Sequence, residues 1–328
     1  MSFYLYGETA FHHEGDINYL YRLIDLAKET GLHGIKFQVL IKPDQLIATT
    51  HNLFPKFLTW VFTKQQWLEI FSYCSKLELD VIVMPLDKEA FDVVAQSKIK
   101  YLDLHSVSFY DEVVLEKLKQ TRLPIILGIG GRTIAEVSEK VSFFNGQEII
   151  LMMGFQAFPS ELLDVKLPRI KKLKELFPTT TIGYTDHTLH SDEYGIYSNE
   201  YSYLLGARVF EKHITCDEGV QRIDFEAAVG KEKLIDLRNR LEYLDRLIDI
   251  DEEVALSFTA AEVKYRSREK VFVAIEKLQK GTMITSEMLV KKMTDRQDGV
   301  NDPALLIGKK LISDIEKDEV ISLSLVRL

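Results

Sequence analysis

Two short segments carry side chains that can do chemistry together. "IGYTDHT" places Tyr184, Thr185, Asp186 and His187 in succession, and "VFEKHIT" runs through Glu211, Lys212 and His213. Each closes a short apolar run, which is how a strand buried on both faces reads. Alternation puts Glu211 and His213 on one face of their strand and Lys212 on the other. Two imidazoles at neighbouring strand ends, with water completing the shell, can hold a divalent ion such as Mn²⁺, Zn²⁺, Co²⁺ or Fe²⁺. Glu211 or Asp186 would orient an imidazole or a bound water from behind. Other strand ends add polar groups: Glu8 in "YGETAFHHEGD", Lys36 and Gln38 in "GIKFQ", and Asp103, His105 and Ser106 in "YLDLHS". Lys36 and Gln38 are two apart and share a face. His12 and His13 read as ordinary loop histidines. Cys74 and Cys216 read as structural thiols with no activating neighbour in sequence.

These groups need a frame that brings strand ends to one place. Up to about residue 250, short apolar runs ("FYLYGET", "GIKFQVL", "DVIVMPLD", "KYLDLHS", "PIILGIG", "EIILMMGF", "TIGYTDHT", "ARVFEKHIT") alternate with amphipathic helical patterns. In the first helix Tyr19, Leu20, Leu23, Ile24 and Ala27 form one stripe; Asp16 suits its N-cap and Gly31 its stop. A regular series of strand–helix units predicts a closed (β/α)8 TIM barrel rather than a doubly wound sheet, with the active face at the C-terminal ends of the strands. "KPDQLIATTHNLFPKFLTWVFT" reads as a long loop on that face. The rhythm then changes. We place the barrel at 1–252, a linker at 253–268 and a small β-rich domain at 269–328.

The net charge is −9 and 46% of the residues are apolar. That is ample for a core, and no basic face points to nucleic acid. No basic segment leads into an apolar run at the N-terminus, and no run is long enough to span a membrane, so a cytoplasmic location is expected. A chain this acidic must gather positive charge locally to hold an anionic metabolite.

With those residues in hand, the chain resembles the sialic acid synthase (N-acetylneuraminate synthase) family. "ETAFHHEGD", "GIKFQ", "GYTDHT" and "FEKHIT" resemble the family's Glu-Ile-Gly-x-Asn-His-Asn/Glu-Gly, Val-Lys-Phe-Gln, Gly-Tyr-Ser-Asp-His-Thr and Ile-Glu-Lys-His-Phe-Thr segments. "IEKLQKGTMITSEML" and "IGKKLISDIEKDEVIS" resemble its C-terminal antifreeze-like (SAF) domain. The resemblance implies condensation of phosphoenolpyruvate with the aldehyde of an N-acetylated amino sugar, giving a nonulosonic acid. It implies a divalent metal on His187 and His213, Mn²⁺ first, with Mg²⁺, Co²⁺ or Zn²⁺ as alternatives. It implies catalytic roles for Glu8, Glu211 and Asp186, and substrate contacts from Lys36, Gln38, Ser106, Tyr184 and Thr185. It also implies a domain-swapped homodimer, whose tail would bring Lys292 or Arg296 to the partner's sugar site.

The phosphoenolpyruvate end departs from the family pattern. An ungapped reading puts Asp103 where the family has lysine, Gly128 where it has a phosphate-binding serine, and Met153 where it has histidine; His12 replaces an asparagine. Exchanging lysine for aspartate beside an anion removes an attraction and adds a repulsion, each a few kcal/mol at about 4–5 Å and an effective dielectric of about 20. Lys36, Arg132 and the glycines of "GIGGRT" are the candidate compensations. Two other readings therefore stand beside the synthase: a divergent metal-dependent barrel lyase or aldolase with another donor, and a catalytically silent sugar-binding relative.

Overall fold

The computed structural model describes residues 3–154 and 157–327. It contains a closed barrel of eight parallel strands: β1 (Tyr4–Glu8), β2 (Gly34–Val39), β3 (Asp80–Pro85), β4 (Tyr101–Leu104), β5 (Ile125–Gly128), β6 (Ile149–Met153), β7 (Thr181–Asp186) and β8 (Val209–His213). β8 pairs back onto β1, so no edge remains. The expected (β/α)8 TIM barrel is the observed fold. Phe155 and Gln156, at the end of the "MMGFQ" stretch, lie outside the described residues.

Strand alternation sorts the core into two layers. Tyr6, Ile82, Ile126, Ile150, Met152 and Val209 pack together inside the barrel. Their neighbours in sequence, such as Leu5, Val81, Val83, Leu127, Leu151 and Phe210, belong to the larger outer core. Helix Ile17–Glu29 joins that layer through Tyr19, Leu20, Leu23, Ile24 and Ala27, and Asp16 accepts from the amides of Asn18 and Tyr19 at its start. The long loop after β2 is not irregular throughout. It contains short helices Pro43–Leu46 and Phe54–Trp60, and Trp60 clusters with Phe11, Leu40, Met84 and Leu86.

The chain divides into two compact units at Asp249/Ile250. The second starts with two short, fully exposed helices, Glu252–Leu256 and Ala260–Arg266, where the sequence reads as a connecting arm. A small antiparallel fold follows: β9 (Val271–Ala274) pairs with β10 (Leu289–Lys292), and β11 (Lys310–Leu311) with β12 (Val326–Arg327). Its own core gathers Ala274, Leu278, Ile284, Leu306, Leu311, Ile315 and Ile321. The short strand Val326–Arg327 is preceded by a 3₁₀ turn over Leu323–Leu325. No helix among the described residues is long and apolar enough to cross a membrane.

Candidate active site

Ladder register builds the centre of the site. Glu8 lies opposite Lys36 on β2 and opposite His213 on β8, and Thr185 lies opposite Glu211. Glu8, Lys36 and His213 therefore stand side by side at the C-terminal rim. All three are buried. The Lys36 ammonium meets three carboxylates: Glu8 Oε2 at 2.8 Å, Asp103 Oδ2 at 2.8 Å and Glu211 Oε2 at 2.5 Å. Burial alone would depress this amine, but Asp103 and Glu211 outweigh it and hold its pKa above the usual lysine value. A permanently charged Lys36 cannot act as a Schiff-base nucleophile.

Glu8 is fixed further by the Ala10 amide, 2.7 Å from Oε1, and by Gln38 Nε2 at 3.3 Å. The Tyr6 hydroxyl donates to Glu211 Oε2 at 2.5 Å. Burial, then the charges of Glu211 and Asp103, push that phenol's pKa well up, so it remains a donor. Both bonds to Glu211 fall on Oε2, which leaves Oε1 available.

Next to it the His187 and His213 ring centroids are 5.0 Å apart. Donor atoms of His187, Glu211 and His213 all lie within 4.8 Å of one another. Burial, then His187, Lys36, Lys212 and His12, hold His213 well below the normal imidazole range, so it is neutral and able to ligate. Two imidazoles and a carboxylate oxygen suit a divalent transition ion. Phe158 packs against both rings, with centroids at 4.4 and 5.4 Å.

A cavity of about 160 Å³ opens at this rim. Glu8, Lys36, Gln38, Ser106, Thr185, His187, Glu211 and His213 line it, together with Asp103, His105, Gly128, Met152 and Asp224. Asp224 and His105 carry no assignment in the sequence reading. Asp224 sits in the loop after β8, where no periodicity flags it; burial and then Glu226 raise its carboxyl to about 6. His105 follows Asp103 by two and so faces inward; burial, aided by Lys36, lowers it to about 4. Asp103 is pushed up to about 6 by burial, against the pull of Lys36 and with the help of Glu211.

Two assignments are corrected. Tyr184 does not face the mouth: alternation turns it into the outer core, where its hydroxyl donates to Ser198 Oγ at 3.0 Å. Asp186 is outward too. It accepts from Asn199 Nδ2 at 2.7 Å, from the Thr188 amide and hydroxyl, and pairs with Lys212 Nζ at 3.1 Å. It lines a separate cavity on the helix side, so it has no place among the inward catalytic groups. Met153 likewise joins the outer core, and Met152 takes the inward position on β6.

Arg132 does not line this cavity: it lines another and donates to the Ser106 carbonyl at 2.8 Å. His12 ties the rim loops together, with Nδ1 donating to the Ile223 carbonyl at 2.6 Å and Nε2 at 2.9 Å from the Thr215 hydroxyl. Burial pushes the Cys74 thiol to about 12 and that of Cys216 to about 11, so neither is activated. Lys292 and Arg296 are exposed in the second unit and pair there with Asp318 and Asp298.

A TIM barrel with a buried His–Glu–His cluster at its rim defines a class of protein: a barrel whose mouth gathers side chains that could hold a metal ion. The NeuB family matches residues 23–251 and the SAF domain residues 269–327. The chain belongs to the NeuB family and carries a C-terminal SAF domain. It is 27% identical to an uncharacterized protein of Methanocaldococcus jannaschii, over 97% of this chain and 93% of that one. It is 24% identical to the N,N'-diacetyllegionaminic acid synthase of Campylobacter jejuni, over 96% and 97%. A putative spore coat polysaccharide biosynthesis protein E from Chromobacterium violaceum has the same fold, with a TM-score of 0.83 at 18% identity, covering 99% of this chain and all of that one.

Proposed function

We propose that the chain joins a three-carbon acid to the open-chain aldehyde of an N-acetylated amino sugar, giving a nonulosonic, sialic-acid-like acid. The observation that carries this reading is the convergence of His187, Glu211 and His213 beside the Glu8–Lys36 pair in one buried mouth. A divalent cation, Mn²⁺ in the first instance, would be held by His187 and His213 with Glu211 Oε1, and when bound it supplies Lewis-acid polarisation of the aldehyde. The chain's own groups do the rest. Tyr6 and Lys36 hold Glu211 in place, and Glu8, fixed on three sides, is set to accept a hydroxyl proton of the acceptor. Thr185, Gln38 and Asp224 offer hydrogen bonds to sugar hydroxyls, and Ser106 lines the donor side.

Phosphoenolpyruvate, consumed with water and released as phosphate, is the donor that the family resemblance implies. One observation favours a second reading, a divergent lyase or aldolase with another donor: Lys36 is ion-paired with three carboxylates and hydrogen-bonded to two of them, Asp103 and Glu211. The test is incubation of the Mn²⁺-loaded full chain with N-acetylmannosamine or 2,4-diacetamido sugars and each three-carbon acid, with the product followed by mass. A nine-carbon acid from any pair supports the reading. No product from any pair overturns it in favour of a silent sugar-binding relative.

The SAF tail is assigned a capping role in a domain-swapped homodimer, with Lys292 or Arg296 reaching the partner's acceptor pocket. Truncation after residue 268 is expected to abolish turnover while the barrel keeps its far-ultraviolet circular dichroism and a cooperative melt. A fully active truncate would remove the capping role.

A further inference from the structure

We infer that Lys212 and Asp186 are positioning residues for the cation: their outward ion pair fixes how far apart β7 and β8 carry His187 and His213. The inference rests on the reading that these two imidazoles hold a divalent ion.

The two segments share a pattern. Each imidazole directly follows a charged residue, Asp186 before His187 and Lys212 before His213. Alternation sends both charged side chains outward while the imidazoles face in. The ladder between the strands runs from Gly183 opposite Val209 to Asp186 opposite Lys212 and ends there, one residue short of the imidazoles. The separation of the two rings therefore depends on what ties the chain just beyond the last rung.

Side chains make that tie. Lys212 Nζ lies 3.1 Å from Asp186 Oδ2 and donates to the Thr188 carbonyl at 3.2 Å, so it reaches both chain neighbours of His187. Asp186 Oδ1 accepts from the Thr188 amide at 2.8 Å and from its hydroxyl at 2.6 Å, closing a tight turn with His187 at its centre. Asp186 Oδ2 accepts from Asn199 Nδ2 at 2.7 Å, which fastens the turn to helix Gly195–Leu204. The Ser160 amide donates to the His187 carbonyl at 2.7 Å from the other side.

Energetics separate positioning from stability. Asp186 and Lys212 are both buried, with 1% and 4% of their surface exposed. Taking two charges out of water offsets most of what their attraction supplies, and an apolar replacement of similar volume is often as stable. The best-attested use of a buried pair is to fix one register. Here the register that matters lies at the rim, where donor atoms of His187, Glu211 and His213 come within 4.8 Å of one another. A ligand set holds its ion only when the residues behind it keep that spacing, so loosening the tie costs affinity before it costs the fold.

The experiment measures cation affinity and stability on the same samples. Mn²⁺ is titrated calorimetrically into the metal-free full chain for wild type, Lys212→Met, Asp186→Asn and the double variant, with urea melts alongside. Each single variant leaves a buried charge unpaired and should lose both stability and affinity. The double variant leaves no charge at this place, so its stability should return close to that of wild type while its Mn²⁺ Kd stays about 10–100-fold weaker. It carries the test if the single variants do not fold. Tyr184→Phe, which removes an outward bond of the same strand, should bind Mn²⁺ as wild type does. A double variant whose Kd is less than about tenfold weaker would overturn the inference. So would one that fails to fold, since the pair would then serve stability alone. Equal weakening in Tyr184→Phe would also overturn it, because any loosening of β7 would then suffice. Wild type that takes up no Mn²⁺ removes the cation reading itself, and the inference with it.

Discussion

The two halves of the barrel mouth are built on different principles. On β7, β8 and β1, inward positions carry His187, Glu211, His213 and Glu8, a set of ligands and acids around one point. On β4, β5 and β6, they carry Asp103, His105, Gly128 and Met152, with no cation among them. The first half carries the segments that resemble the family; in the second, the ungapped reading sets Asp103 and Gly128 against the family pattern's lysine and serine. Lys36 joins the halves by bonding Glu8 and Glu211 on one side and Asp103 on the other. A site divided this way holds the aldehyde chemistry constant and leaves the other substrate open to change.

The largest effect should come from breaking the first half. His213→Ala removes a proposed cation ligand, and C–C bond formation should fall by about 10³, with Mn²⁺ stoichiometry by elemental analysis falling in parallel. Activity retained without metal would erase the distinction between the halves. Next comes the joint. Lys36→Met leaves three buried carboxylates without their cation, which should lower unfolding free energy by about 3–5 kcal/mol in urea melts. A loss below about 1 kcal/mol would mean that the halves are not tied through this residue.

The second half has a pH signature of its own. Burial holds the Asp103 carboxyl at about 6 in the fold, above its ordinary value of 3.8. A raised folded pKa means that the group's stabilising contribution is full below the unfolded value and is lost as pH rises through 6. Replacement by Asn removes this titration. The stability of Asp103→Asn relative to wild type should therefore climb between pH 4 and 6, by up to about 1 kcal/mol per unit, and level off above. A flat difference across that window would show that Asp103 is as comfortable as a surface carboxylate.

Much of the fold was legible because period-two apolar runs, each followed by a period-3.6 helix, have few other solutions. Glu8, Lys36, Thr185, His187, Glu211 and His213 were legible for a related reason, as polar groups ending apolar strands. Tyr184 and Asp186 were misassigned although the same alternation excludes them: once His187 faces in, residues one and three before it face out. The Lys36–Asp103 bond was not legible. Its partners are 67 positions apart, and only closure of the barrel in one register brings them to 2.8 Å. Asp103 read as a loss beside an anion, when its position also engages the very lysine expected to compensate. Asp224 lies in a loop, where neither period applies.

The smallest effect tests the sorting itself. Tyr184 is fully buried on the outer face of β7 and its hydroxyl donates to Ser198, which in turn donates to the Gly195 carbonyl at 2.5 Å. Tyr184→Phe removes one buried hydrogen bond and leaves Ser198 with its carbonyl partner, so stability should fall by about 1 kcal/mol. Turnover and both substrate KM values should stay within about twofold, because no atom of the ring reaches the cavity that His187 lines. A tenfold rise in either KM would place this phenol on the inner face after all. It would also undo the inward and outward assignment of its strand, on which the placement of Thr185 and His187 depends.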